Sequence, residues 1–280
     1  MNVRLEDNSE KNKKLKIIYI TIISVCILAV LITVVIQIVK NIDINSTPSV
    51  SDQRLTKYKE DFNNIFENKV NYLENNSYRI DKIDESQEIV YTGYSDKNNK
   101  ISDYNLDVNI PYINIQNAVI DQFNKDIKEI FEQKAKDILN TQKQNIIYSV
   151  NYCAYVTNNI LSLVIRSNLK EGENPARDIV QTYNYDLINQ KEFTFEDMLG
   201  LKSISRLDAS RKIKAEIKEI ENEVNNMAEL GYSVYPRDSS SDIYDIDNIT
   251  EYFIGEDNTL YVIFAYGNQN NTSEMDIVVM

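Results

Sequence analysis

Histidine and tryptophan are absent from the 280 residues, and there are only two cysteines, four prolines and six glycines. Without histidine there is no Ser-His-Asp or Cys-His nucleophile system and no His-based zinc or non-haem iron site. The few glycines are scattered, so neither a GxGxxG turn nor a P-loop is present. Positive charge is also scarce. Against 43 Asp+Glu stand 30 Lys+Arg, a formal net charge of −13, and general nucleic-acid binding needs the opposite balance.

What the chain does have is one long apolar run. Residues 17–39 read IIYITIISVCILAVLITVVIQIV, without a charge. As a helix this run reaches roughly 35 Å, enough to cross a hydrocarbon core of about 30 Å. Arg4, Lys11, Lys13, Lys14 and Lys16 precede it, whereas only Lys40 follows closely, with Asp43 just behind. The positive-inside bias places residues 1–16 in the cytoplasm as a short tail and everything after the span outside. A cleaved secretory signal would have a shorter apolar region with a small-x-small site directly behind it. This run is longer and ends in Gln37, Ile38, Val39 and Lys40, which favours an uncleaved anchor. Cys26 lies within the span, so Cys153 has no intrachain disulfide partner outside, and the outer domain must be held by its core. Cys153 sits in a strand-like run and reads as a buried structural thiol.

Residues 40–51 form a polar linker. In it Ser49 and Ser51 flank Val50 as a candidate signal-peptidase site. Over residues 52–75, Leu55, Tyr58, Phe62, Ile65, Phe66, Val70 and Leu73 recur at helical spacing, predicting an amphipathic juxtamembrane helix that packs on the domain rather than forming a dimerising stalk. Residues 76–280 then form the outer domain. Its opening stretch, 78–113, predicts two or three strands, with Pro111 at an edge or strand end. A helix follows over 115–139, its stripe being Ile115, Val119, Phe123, Ile127, Ile130, Phe131 and Ile138. Strands are predicted near 147–156, 160–168 and 179–187, the first two joined by a tight Asn158-Asn159 turn. Thr194 to Asp197 resembles a helix N-terminal box. A long helix over 203–229 carries Ile204, Leu207, Ile213, Ile217, Ile220, Val224 and Met227, with Gly231 as its stop. Residues 232–248 read as a polar acidic loop. A hairpin turning at 256–258 leads into residues 260–266, apolar on both faces and hence a central strand, and 275–280 is a last strand. The fold class is α+β: an antiparallel sheet with two or three long helices packed on it.

Residues 183–199, YNYDLINQKEFTFEDML, carry a family resemblance. Tyr183, Asn184, Asp186, Leu187, Lys191, Glu192, Phe193, Thr194, Phe195, Asp197, Met198 and Leu199 match a Tyr-Asn-x-Asp-Leu strand, a turn, Lys-Glu, and Thr and Asp among apolar residues. Together with ILSLVIRSNL before it and FIGEDNTLYVIFAYG after it, this region resembles the PdaC/RsiV-like extracytoplasmic domain of Gram-positive bacteria. The resemblance covers about 175 residues, from 106 to 280. It implies one of two settings. RsiV-type members are single-pass regulators that hold an extracytoplasmic-function sigma factor and bind lysozyme outside. PdaC-type members carry the domain ahead of a peptidoglycan deacetylase. The chain departs from both. Its loop at 169–177, LKEGENPAR, has neither the Gly-Gly nor the His usual in the family, the 16-residue tail lacks room for a sigma-binding segment, and no deacetylase follows residue 280.

Acidic pairs suit glycoside cleavage, but 43 carboxylates bring some together by chance. The run from Asp238 to Asp247 lacks the Gly and terminal Glu of a calcium loop. The 19 tyrosines lie mostly beside Val and Ile, as sheet-packing residues do. No cofactor or metal set is expected. The reading is therefore a non-enzymatic, membrane-anchored binding or sensor domain of the bacterial cell envelope, with an envelope protein or peptidoglycan as partner. Its candidate contact loop contains Lys170, Glu171, Glu173 and Arg177. A peptidoglycan-acting accessory or enzyme and an RsiV-like regulator are the alternatives.

Overall fold

The structure is a computed structural model, and it describes residues 57–141 and 143–280. The expected tail at 1–16, the span at 17–39 with Cys26, and the linker with Ser49 and Ser51 all lie outside the described residues. Among the described residues no helix is long and apolar enough to cross a membrane.

Alternation of apolar residues builds two sheets. The larger contains β1 (Val70–Tyr72), β2 (Val90–Lys100), β3 (Tyr104–Ile113), β4 (Ile146–Thr157), β5 (Ile160–Glu171), β6 (Arg177–Asp186) and β7 (Lys191–Glu192). Its order is β2-β3-β4-β5-β6-β7, with β1 also on β4. The smaller sheet has β9 (Leu260–Ala265) between β8 (Tyr252–Ile254) and β10 (Met275–Val279), so residues 260–265 are indeed a central strand. Successive side chains of a strand point to opposite faces. On β4, Tyr148, Val150, Tyr152, Ala154 and Val156 face one helix layer, whereas Cys153 and Tyr155 face the small sheet. On β9, Tyr261, Ile263 and Ala265 face the large sheet and Leu260, Val262 and Phe264 face away from it.

Helices close the outer faces. α1 (Ala118–Ile127) runs through a π turn (Lys128–Glu132) into α2 (Gln133–Leu139), and both pack on the large sheet. Asn117 caps α1, and Asn124 pins it to the end of β3 with paired bonds to the Ile113 N–H and C=O, each 2.8 Å. On the small sheet lie α3 (Phe195–Lys202), opened by a Thr194–Asp197 capping box, and α4 (Arg206–Glu229), which buries Ala209, Ile213, Ile217 and Val224. The stop at Gly231 has φ +88°, with bonds from its N–H to Ala228 O and from Tyr232 N–H to Met227 O, a C-terminal closure that suits glycine. Asn158 and Asn159, φ +53° and +64°, make the tight hairpin turn between β4 and β5.

Five expectations are corrected. The helix over 52–75 is not continuous. Residues 57–61 are helical and 62–64 form a 3-10 turn, after which the chain extends into β1. Phe62 is fully buried against the small sheet, and β1 pairs in parallel with Ala154–Val156. Residues 57–75 therefore belong to the domain, and tertiary burial overrides their helical spacing. The large sheet is mixed rather than antiparallel, because β3 also pairs in parallel with β4. No strand forms over 78–89; β2 starts at Val90 and continues into the polar stretch to Lys100, an exposed edge that needs no apolar alternation. The stripe of α1 and α2 is Ile120, Ile127, Phe131, Ala135 and Ile138, while Val119 and Ile130 are each 47% exposed. On α4, Leu207 and Met227 are likewise exposed.

The acidic loop at 232–248 is the fifth correction. It contributes Tyr244 and Arg237, both buried. Arg237 forms a bidentate pair with buried Asp276, 3.0 Å from Nε and 2.9 Å from Nη2, and Nη1 donates to Glu274 and the Tyr235 carbonyl. Its guanidinium lies 4.5 Å from the Tyr266 ring centre, and Tyr266 donates to Asp276. Removing one partner of such a pair strands a buried charge. Arg237→Ala is expected to lower stability by about 3–5 kcal/mol, read as a lower urea midpoint with unchanged slope.

Candidate functional site

The Tyr183–Leu199 segment joins the two sheets. Asn184 is buried on β6. Its Oδ1 accepts from Ser162 Oγ at 2.7 Å, its Nδ2 donates to Tyr252 O at 2.7 Å, and its carbonyl accepts from Phe193 N–H at 2.9 Å. Asp186 accepts from the N–H groups of Ile188 and Asn189 and from Asn189 Nδ2. Burial works against its charge, but these donors prevail and hold the carboxyl below its usual range. Leu187 fills the core under α1 and α2, and Phe193, Phe195, Met198 and Leu199 fill the core under α4. Cys153 is fully buried, and burial pushes its thiol up to about 11, as befits an unreactive thiol.

The candidate loop is short. β5 runs to Glu171, Gly172 turns with φ +61°, and Arg177 begins β6. Glu171 is committed to the fold: Lys134 Nζ lies 2.9 Å away and Lys143 Nζ 3.8 Å, and the Lys134 bond leads in holding its carboxyl low. Arg177 Nε is buried and has no hydrogen-bond partner among the described residues. Lys170 and Glu173 instead line an open cleft of about 290 Å³ with Gly172, Asn99, Asn105 and Asn145. This cleft lies where the β2–β3 turn meets the start of β4 and the end of β5. The structure thus brings Lys170 and Glu173 together, places Glu171 on α2, and sets Arg177 into the sheet edge.

A second feature escaped the sequence reading. Glu251 lines two clefts of about 330 Å³ each, one between α1 and β6 and one beside β9. Its Oε2 accepts from Thr182 N–H at 2.7 Å on the outer edge of β6. Burial pushes its carboxyl up to about 7, against the pull of that donor. The available signal was an acid directly before the apolar strand 252–254. Among the described residues no group of His, Cys, Asp or Glu is arranged to hold a metal ion.

No family model matches the chain, and no curated protein matches it. Solved structures similar to this chain include two DUF3298 family proteins. One is a DUF3298 family protein of Pseudomonas aeruginosa, with 8% identity and a TM-score of 0.37, covering 73% of this chain and 90% of that one. The other is a DUF3298 family member of Bacteroides fragilis, with 13% identity and a TM-score of 0.31, covering 63% and 81%.

Glu251 predicts a pH-dependent stability. A free Glu titrates near 4.3 (roughly), so between about pH 4.3 and the folded value the native state holds a proton that the unfolded chain has released. Stability should fall as pH rises through that window and level off above it. Glu251→Gln keeps an acceptor for Thr182 N–H and removes the titration. It is expected to match the parent near pH 4 and to exceed it by about 1–3 kcal/mol at pH 8, measured by denaturant unfolding at both pH values.

Proposed function

We propose that this chain is a single-pass membrane protein of the bacterial cell envelope whose outer domain is a non-catalytic binding or sensor module of the PdaC/RsiV-like type. The observation that carries the reading is the cleft at Lys170 and Glu173. Its lining side chains Asn99, Asn105, Asn145, Lys170 and Glu173 make no hydrogen bond or ion pair with one another or with other described residues. Elsewhere the polar groups of the domain are largely spent on its own fold, as at Asn184, Asp186, Glu171 and the Arg237 network. An open surface of amides with one free cation and one free carboxylate suits a polar, hydroxyl- and amide-rich ligand such as peptidoglycan. The uncharged run at 17–39 with basic residues before it supports the anchor and the outward orientation. The match of Tyr183–Leu199 to the family pattern supports the domain type, since those residues carry the joint between the sheets.

Two outcomes are expected. In intact cells, added protease should degrade the part beyond residue 40, and carbonate washing should leave the chain in the membrane; protection, or release of the whole chain, removes the anchor and its orientation. Full-length protein in detergent should be retained on isolated peptidoglycan. Exchange of residues 172–176 for Gly-Ser together with Lys170→Ser should reduce that retention about tenfold; unchanged retention removes this cleft as the contact.

A further inference from the structure

The groove between α1 and β6 lies apart from the Lys170 cleft and has different chemistry. One side is apolar. Phe123 stacks on Tyr183 with ring centres 4.2 Å apart, Ile127 forms the floor, and Ile130 stands 47% exposed on the rim. The other lining groups are Asp126, Glu129, Gln181, Thr182 and Glu251. Three carboxylates therefore face a cavity of about 330 Å³ that no Lys or Arg side chain among the described residues lines. Asp126 accepts a bond from Gln122, and Glu129 has Lys125 at 3.9 Å on the exposed face of the helix. Glu251 has only neutral donors, and its burial without a counter-charge raises its carboxyl to about 7.

We propose that this groove receives the side chain of a lysine or arginine offered by another protein, with the aliphatic stem against Phe123, Tyr183 and Ile130 and the cationic head among Glu251, Glu129 and Asp126. Charge complementarity carries the choice of occupant. An aromatic pair beside carboxylates in a partly desolvated pocket attracts a cation through both its ring faces and its charges. An anion would be repelled, and a purely apolar residue would leave Glu251 uncompensated. The cavity falls in the size range of a small-ligand site, of which one long side chain fills a part. The exposed Ile130 and Val119 on the same helix give the backbone around such a side chain an apolar rim to cover.

The experiment is ligand-observed saturation-transfer NMR on the full-length chain in detergent micelles. The probes are acetyl-lysine amide, acetyl-arginine amide and the neutral isostere acetyl-norleucine amide. Saturation of the lysine or arginine stem with a dissociation constant in the millimolar range (about 1–10 mM) is expected. Glu251→Gln and, separately, Glu129→Gln should weaken it at least about fivefold, the loss of one charge-assisted contact. The Lys170 and loop 172–176 replacements should leave it unchanged, which separates this site from the peptidoglycan contact. Equal transfer to norleucine amide, no transfer to either cation at about 10 mM, or full affinity in both Gln variants would overturn the proposal. Glu129 is on the exposed face of a helix, so its variant tests the site without disturbing the core.

Discussion

Two sheet edges meet in this domain, and polar side chains sew them together. On β6, Asp178 N–H donates to Thr272 O, Val180 N–H to Asn268 Oδ1 and Thr182 N–H to Glu251 Oε2. On β8, Tyr252 N–H donates to Thr182 Oγ1, Ile254 N–H to Ser162 Oγ, and Tyr252 O accepts from Asn184. An exposed edge strand is a template for unwanted pairing. Here neither edge needs a further strand, because each ladder position finds a side chain or loop carbonyl. Gly267 shows how closely the parts meet: a Cβ there would stand 1.8 Å from the Asp178 carbonyl oxygen. The docking of the small sheet, the buried Asn184 and the placement of Glu251 between two clefts all follow from this seam.

The seam also explains which parts of the fold were legible in the sequence. Local chemistry was readable where a short segment contains its own cause. Asn158-Asn159 supplies left-handed residues for a turn, Thr194 and Asp197 satisfy each other across one helical turn, and residues 260–265 are apolar on both faces because both are covered. Pairings between distant segments left no such trace. Val70–Tyr72 is too short to show a two-residue period, and its neighbours happen to fit a helix. Arg237 looked solvated because its partners Glu274 and Asp276 come almost forty residues later. Of the expected contact residues, Lys170 and Glu173 share a cleft, but Glu171 is drawn to Lys134, a partner on another element that the loop itself could not announce. Glu251 and Phe123 meet across the groove only after β6 and α1 have packed.

Charge is distributed by the same logic. The acidic excess of the chain is compensated where it is buried: Asp276 by Arg237, Asp178 by Arg166, and Glu132 by Lys136 and the Tyr112 hydroxyl. Burying a carboxylate without such partners is expensive. Asp186 is held instead by three neutral donors of its own turn, whereas Glu251 has Thr182 as its neutral donor and lies in a groove open to solvent rather than in a core. The two clefts therefore differ in kind. The cleft at Lys170 offers unspent amides beside Lys170 and Glu173, with Lys100 and Asp103 paired to each other, and the groove at Phe123 an aromatic wall opposed by acids.

The strap formed by residues 57–76 enters the middle of the large sheet, not its border. Asn68 bonds both the carbonyl and the N–H of Tyr152, β1 continues along Ala154–Val156, and Asn76 grips the carbonyls of Leu73 and Val156. Tension arriving through residue 57 would act along this parallel ladder and load its bonds in shear, several at once, rather than unzip them singly. The strap is thus held on an inner strand of the sheet, and its release would leave half of one edge of β4 bare.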